Sequence, residues 1–251
     1  PSGHQRGAGP SSLYFGFDCW VCLWPAGVCG YGETVATAPC SSMVAAVAPI
    51  RVPTEVPDKI LCGACYKITC QGHPACSTDG VTVTVADVCR GGPCLEEANH
   101  VDLSGHAFGR MAQPGREDEL PAAGTVSMIK GWVGCVYDSP PALVVHPSAT
   151  GQDFKFTLLF APGKGMANWL TLELKEALHP TDDWKRATWW EGASWKFTDD
   201  DNKPIPVQAP LSIKLTWSKL QPEDDITAET VIPAGWKPRD TYYFNSSITL
   251  F

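Results

Sequence analysis

Side chains able to do chemistry crowd into one stretch of this chain: Cys62-Gly63-Ala64-Cys65, then Cys70 and Cys76, then Asp87, then His100-Val101-Asp102. A Cys-x-x-Cys pair can hold half of a tetrahedral zinc site, and Cys19-Trp20-Val21-Cys22 could supply the other half. The same pair could be a dithiol redox motif, but that chemistry wants a strand running into a helix, and Tyr66 to Thr69 reads as strand. Disulfide staples account for these cysteines more simply. His100 and Asp102, two residues apart, would share one face of a strand.

Cysteine usage also speaks to the compartment. Eleven thiols are an oxidation liability in the cytosol but staple small domains outside the cell, so a secreted, extracellular protein is expected. All eleven lie between Cys19 and Cys135, and residues 136–251 contain none. This shift places a domain boundary just after Cys135, with Tyr137-Asp138-Ser139-Pro140-Pro141 as a short stiff linker. The expected division is residues 1–136 and 142–251. A net charge of -8 and a pI near 5.2 argue against nucleic acid as a partner, since binding phosphates needs a concentrated cationic face. No run of 18 apolar residues is present to span a bilayer. No metal or organic cofactor is implied, and a monomer is expected.

The elements that must position these groups are mostly strands. Twenty-two prolines and 23 glycines interrupt the apolar stretches. Val81 to Ala86 and Thr125 to Ile129 alternate with a period of two, as half-buried strands do. Only Ser104 to Ala112 reads as a short helix, with a second over Ser42 to Val47, where alanines and Met43 cluster. Farther on, Phe154 to Leu158, Leu170 to Leu174 and Leu211 to Trp217 alternate with turn residues between them. That is the pattern of an antiparallel sandwich, and the fold class is all-β.

Four segments stand in order along the chain: Cys29-Gly30-Tyr31-Gly32, Cys62-Gly63-Ala64-Cys65-Tyr66, the stretch from His100 to Ala112, and Val231-Ile232-Pro233-Ala234-Gly235-Trp236-Lys237. Through them the chain resembles the expansins, and within these the β-expansins, which include the group 1 grass pollen allergens. The resemblance implies a six-stranded double-psi β-barrel followed by an immunoglobulin-like β-sandwich that binds polysaccharide. By position it also implies disulfides from Cys29 to Cys62, Cys65 to Cys135 and Cys70 to Cys76. Cys89 and Cys94 could close a small loop, as in the α-expansin pattern. Cys19, Cys22 and Cys40 can make one further bridge, leaving one thiol over.

The same resemblance places Asp87 and Asp102 on the floor of a groove, with Asp102 at the position of the general acid of related inverting endoglucanases. A carboxylic acid in a groove that excludes water can keep its proton at acidic wall pH and donate a hydrogen bond to a sugar oxygen. Taken without the resemblance, the two aspartates would be turn residues capping strand ends, and His100 a packing or hydrogen-bonding scaffold. Inverting hydrolysis needs a base as well, held about 6.5–9.5 Å from the acid. Expansins lack that base, but Asp18 lies near where the hydrolases place theirs. It therefore separates an endoglucanase, with Asp102 as acid and Asp18 as base, from a chain in which Asp18 is only an exposed loop residue. Where the family usually has Ala-Thr-Trp-Tyr-Gly or Ala-Thr-Phe-Tyr-Gly, this chain has Ser12-Leu13-Tyr14-Phe15-Gly16. The groove threonine is thus replaced by Leu13, while Tyr14, Phe15 and His100 remain candidate sugar contacts.

Sugars present flat C–H faces that stack on aromatic rings. Six of the ten tryptophans fall at 169, 184, 189, 190, 195 and 217, more than one sandwich core needs. By position Trp195 resembles the family's surface tryptophan, and Phe160 stands near its tyrosine. Trp189 and Trp190 are adjacent on a strand, so one faces the core and the other can join a platform. Trp184 and Trp217 read as core. The function implied is non-hydrolytic loosening of cell wall by binding cellulose, xylan or another β-linked glycan along a groove spanning both domains. The alternatives are the endoglucanase and a non-catalytic, allergen-like carbohydrate-binding module. The sequon Asn245-Ser246-Ser247 is consistent with export.

Overall fold

The computed structural model describes residues 11–14, 27–48, 62–97, 99–159, 170–178, 183–217 and 226–244, and for residues 11–14 the backbone alone. The chain divides into two compact units.

In the first, strands β1 (Ser11–Tyr14), β2 (Val44–Val47), β3 (Cys65–Gln71), β4 (Val81–Val88), β5 (Val101–Leu103) and β6 (Thr125–Val133) close into a six-stranded barrel, in the order β1-β5-β2-β4-β3-β6. Pairs β1/β5 and β2/β4 are parallel, and the rest are antiparallel. Valines at 81, 83 and 85 point inward on β4 while Thr82 is exposed, so the alternation seen in sequence builds the barrel wall. The helix expected over Ser42 to Val47 is instead strand β2. Flanked by β4 and β5, all four of its residues are buried, and tertiary pairing overrides the helix preference of alanine.

Short helices α1 (Pro93–Glu96), α2 (Gly105–Arg110) and α3 (Glu119–Ala123) complete the unit. The Ser104 hydroxyl caps α2 by accepting the Ala107 N–H at 3.1 Å, and Phe108 then buries fully beneath the helix.

The second unit is a β-sandwich. Its strands are β7 (Ala142–Val145), β8 (Lys155–Leu159), β9 (Leu170–Glu176), β10 (Lys185–Arg186), β11 (Thr188–Glu191), β12 (Ser194–Lys196), β13 (Leu211–Trp217), β14 (Ile226–Ile232) and β15 (Thr241–Tyr243). One sheet runs β10-β9-β13-β14 and the other β11-β12-β8-β7-β15. Between them Phe154, Phe156, Phe197, Leu172, Ile213 and Trp195 form a common core. Each such side chain contributes about 1.5–3 kcal/mol of burial free energy.

Residues 28–31 and 62–64, expected with the barrel, group with this second unit. Cys29 is bonded to Cys62, and the Cys29 carbonyl accepts the Ala193 N–H at 3.1 Å. Gly192 has a positive φ of 54°, and a Cβ there would collide with the Val28 carbonyl oxygen, so the turn between β11 and β12 requires glycine.

Candidate functional site

The barrel's register brings two carboxylates into one row. Ala46 on β2 pairs with Asp87 of β4 on one side and with Asp102 of β5 on the other. Asp102 pairs in turn with Tyr14 of β1, and Tyr14 with Thr125 of β6. Residues opposite one another across strands share a face, so Asp87, Ala46 and Asp102 point the same way, with roughly 10 Å between the outer two backbones. Val101 and Leu103, on either side of Asp102, are buried in the barrel, which turns Asp102 outward.

Asp87 joins this row through an irregularity. Ala45 pairs with Val85 but Ala46 with Asp87, so β4 carries one extra residue at Ala86. Without that bulge Asp87 would share the face of Val85, which points into the barrel. No pattern in the sequence signals the bulge. The small Ala46 is also part of the site, because any larger side chain would fill the space between the two carboxylates.

The carboxylates differ in environment. Asp87 is 9% exposed, and its Oδ1 accepts the Val88 N–H at 2.8 Å. A Cβ on Gly27 would stand 3.4 Å from the Asp87 carboxyl carbon, so backbone covers that side closely. Asp102 has a side chain 33% exposed, and its Oδ1 lies 3.1 Å from His100 Nε2. The imidazole is fully buried, with Nδ1 3.8 Å from Glu97 Oε2. His100 is therefore scaffold, holding Asp102 from beneath.

Cys89 and Cys94 are bonded beside this row and pack on Ala46 and Ala48. Cys70 is bonded to Cys76, Cys65 and Cys135 are both in disulfides, and Cys40 is a buried free thiol whose pKa burial pushes up to about 11. The sulfurs of Cys89 and Cys94 and a carboxylate oxygen of Asp102 lie within 4.8 Å of one another. Sulfurs already joined to each other are not thiolate ligands, so this group has no donor set for a metal. Asp18, Phe15, Cys19, Cys22, Phe160, Trp169 and the Asn245 sequon lie outside the described residues, as do the side chains of Tyr14 and Trp217.

In the sandwich, one sequence expectation is overturned. Trp195, read as a surface ring, is 4% exposed and faces the core. It pairs across strands with Phe156 on β8 and Trp189 on β11, and a ring in register with a fully buried phenylalanine must share its inward face. Trp189 is partly buried against the same core and donates its Nε1–H to the Gly192 carbonyl at 3.0 Å.

Both rings are partly exposed, and Trp190, at the irregularity between Trp189 and Glu191, is the one that does not pack on the sandwich core among the described residues. Lys155 Nζ sits 4.9 Å from its ring centroid and the His146 ring meets it edge-on at 5.1 Å. Burial, with Lys155 nearby as a lesser cause, lowers the His146 pKa from its ordinary value. Trp184, expected in the core, is also half-exposed, under Lys214, which pairs with Glu173 at 2.9 Å.

A family model described as lytic transglycolase matches residues 57–128, which cover β3 to β5 and the first four residues of β6. Expansin-B6 of Arabidopsis thaliana is 34% identical over 218 residues, covering 86% of this chain and 90% of the relative. The chain belongs to the expansin family. Expansin-B11 of Oryza sativa subsp. japonica is 36% identical over 217 residues, covering 86% of this chain and 70% of the relative. Among solved structures, the apo expansin of Clavibacter michiganensis superposes with a TM-score of 0.61 at 19% identity, covering 95% of each chain. A mutant of that bacterial expansin in complex with cellohexaose superposes equally well, at 18% identity and covering 94% of this chain and 96% of that one. At such identities the match establishes the fold, a double-psi barrel and a β-sandwich, and this expansin has both.

Proposed function

We propose that this expansin loosens cell wall without cutting it, by binding cellulose and β-linked matrix glycan at the Asp87–Ala46–Asp102 row of the barrel and at half-exposed rings of the sandwich, Trp190 foremost. The observation that carries this reading is the asymmetry of the two carboxylates. Asp102 is open to a ligand and braced by a buried imidazole, whereas Asp87 is covered and already accepts a backbone N–H. A row with one open carboxylate can donate or accept a hydrogen bond to a glycan. Inverting hydrolysis also needs a second, open carboxylate to activate water, a part the covered Asp87 does not fit and for which Asp18, outside the described residues, is the candidate. The bacterial relative crystallised with cellohexaose supports a glucan as ligand, and the cysteine usage supports a secreted wall protein. No helix among the described residues is long and apolar enough to cross a membrane.

The test is wall extensometry run beside a reducing-sugar assay on one preparation. Creep with no sugar release supports the proposal. Steady release of oligosaccharide that Asp18→Asn abolishes would establish the endoglucanase instead. Absence of both creep and release leaves only a carbohydrate-binding module.

A further inference from the structure

A second group of side chains on the barrel is not used by the carboxylate row. Tyr66, Ile68 and Cys70 on β3 stand in register with Trp132, Lys130 and Met128 on β6, so all six share one face. Ile68 and Met128 are fully buried there, which makes it the inward face. Toward the strand ends it opens: Tyr66 is 4% exposed but Trp132 is 50% exposed, and the two rings lie 4.1 Å apart at an angle of 36°.

Lys130 Nζ sits 5.4 Å from the Tyr66 ring centroid. It makes no ion pair or hydrogen bond among the described residues, and no Asp or Glu occupies a facing position on β3 or β6. A half-buried ammonium whose partner among the described residues is the Tyr66 ring is incompletely compensated for its lost hydration, because a cation–π contact offsets about 0.5–2 kcal/mol. Consistent with this, burial lowers the Lys130 pKa to about 8 and raises that of the Tyr66 phenol.

We propose that Trp132, Tyr66 and Lys130 form a subsite for an acidic sugar, a uronate residue of a matrix polysaccharide. The exposed Trp132 ring stacks the sugar's C–H face, and Lys130 receives the carboxylate. Residues two apart on a strand stand about 6.6 Å apart on the same face, so Lys130 borders the sugar that Trp132 stacks. Neutral glucans offer Lys130 hydroxyl acceptors but no charge, so this subsite selects for charge where the carboxylate row does not. The net charge of -8 disfavours non-specific attraction of a polyanion, which leaves a local cation to supply the binding.

The probes are hexagalacturonate, its methyl ester and cellohexaose, each titrated calorimetrically into the full chain at pH 5.5 and low salt. Hexagalacturonate is expected to bind at least tenfold tighter than its methyl ester, and Lys130→Met to remove that preference while Lys130→Arg keeps most of it. Trp132→Ala should weaken both galacturonides. Cellohexaose affinity should not change in either Lys130 variant, which also reports that they fold. Equal binding of acid and ester, or a preference that survives Lys130→Met, overturns the subsite. Because cellohexaose is measured alongside, loss of galacturonate selectivity with cellohexaose binding intact rejects the subsite alone. Failure of cellohexaose with selectivity intact rejects the glucan reading above and leaves the subsite standing.

Discussion

His100 Nε2 lies 3.1 Å from Asp102 Oδ1, with the imidazole wholly buried and the carboxylate one-third exposed. A buried ring cannot reorient freely, so this contact fixes the side-chain direction of the one open carboxylate of the row. His100→Leu should keep the barrel folded at a cost of about 1–3 kcal/mol, because it removes one partner of a partly buried hydrogen bond. It should also abolish most wall creep, and His100→Gln should restore part of it. Urea unfolding and extensometry on the same samples check both statements.

Ala46 separates Asp87 from Asp102 in the cross-strand row. Ala46→Leu would fill that gap and push on the Cys89–Cys94 loop packed beside it, at a cost of about 1–3 kcal/mol for overpacking. Creep should fall far more than stability does. Creep that survives in a folded Ala46→Leu protein would remove the row from the glycan's path.

The two neighbouring sandwich tryptophans should separate cleanly. Trp195→Ala empties a core position and should destabilise the protein by about 3–5 kcal/mol. Trp190→Ala should change stability little but lower retention on cellulose severalfold, since its ring is partly exposed and does not pack on the core. Thermal unfolding and a cellulose pull-down distinguish these outcomes.

Lys130 gives a pH signature. Its pKa is lowered from 10.5 to about 8 in the folded chain, so between those values the unfolded state holds more protons, and this residue's contribution to stability rises with pH. Below about 8 the folded state carries the full cost of a buried ammonium. Lys130→Met should therefore be more stable than the parent at pH 7, and the difference should shrink as pH passes through 8 toward 10.5. Paired unfolding curves at pH 7 and pH 10 measure it, and the subtraction cancels the other alkaline titrations.

Much of this was legible in the residues. The valines of β4 and the alternating runs of β9 and β13 predict strands because one face is core and the other solvent, and the structure has them there. Strand β2 was not legible, because Val44-Ala45-Ala46-Val47 is buried on both faces and shows no alternation. Asp102 could be placed on an outward face by its apolar neighbours, but Asp87 could not, since its direction depends on one extra residue at Ala86. The direction of Trp195 was not legible for a similar reason. Its inward face is set by its cross-strand partner Phe156, which is distant in sequence. Trp132 and Lys130 carry no sequence signal either, since only pairing with Tyr66 assembles them.

The most direct test of the account is Asp102→Asn in wall extensometry, with cellulose retention and thermal unfolding measured on the same sample. The variant should unfold within about 1 kcal/mol of the parent, as a part-exposed, near-isosteric change does. It should remain bound to cellulose through the sandwich and lose nearly all creep. Creep at the parent's rate in a folded Asp102→Asn protein would contradict the assignment of the barrel row as the working site.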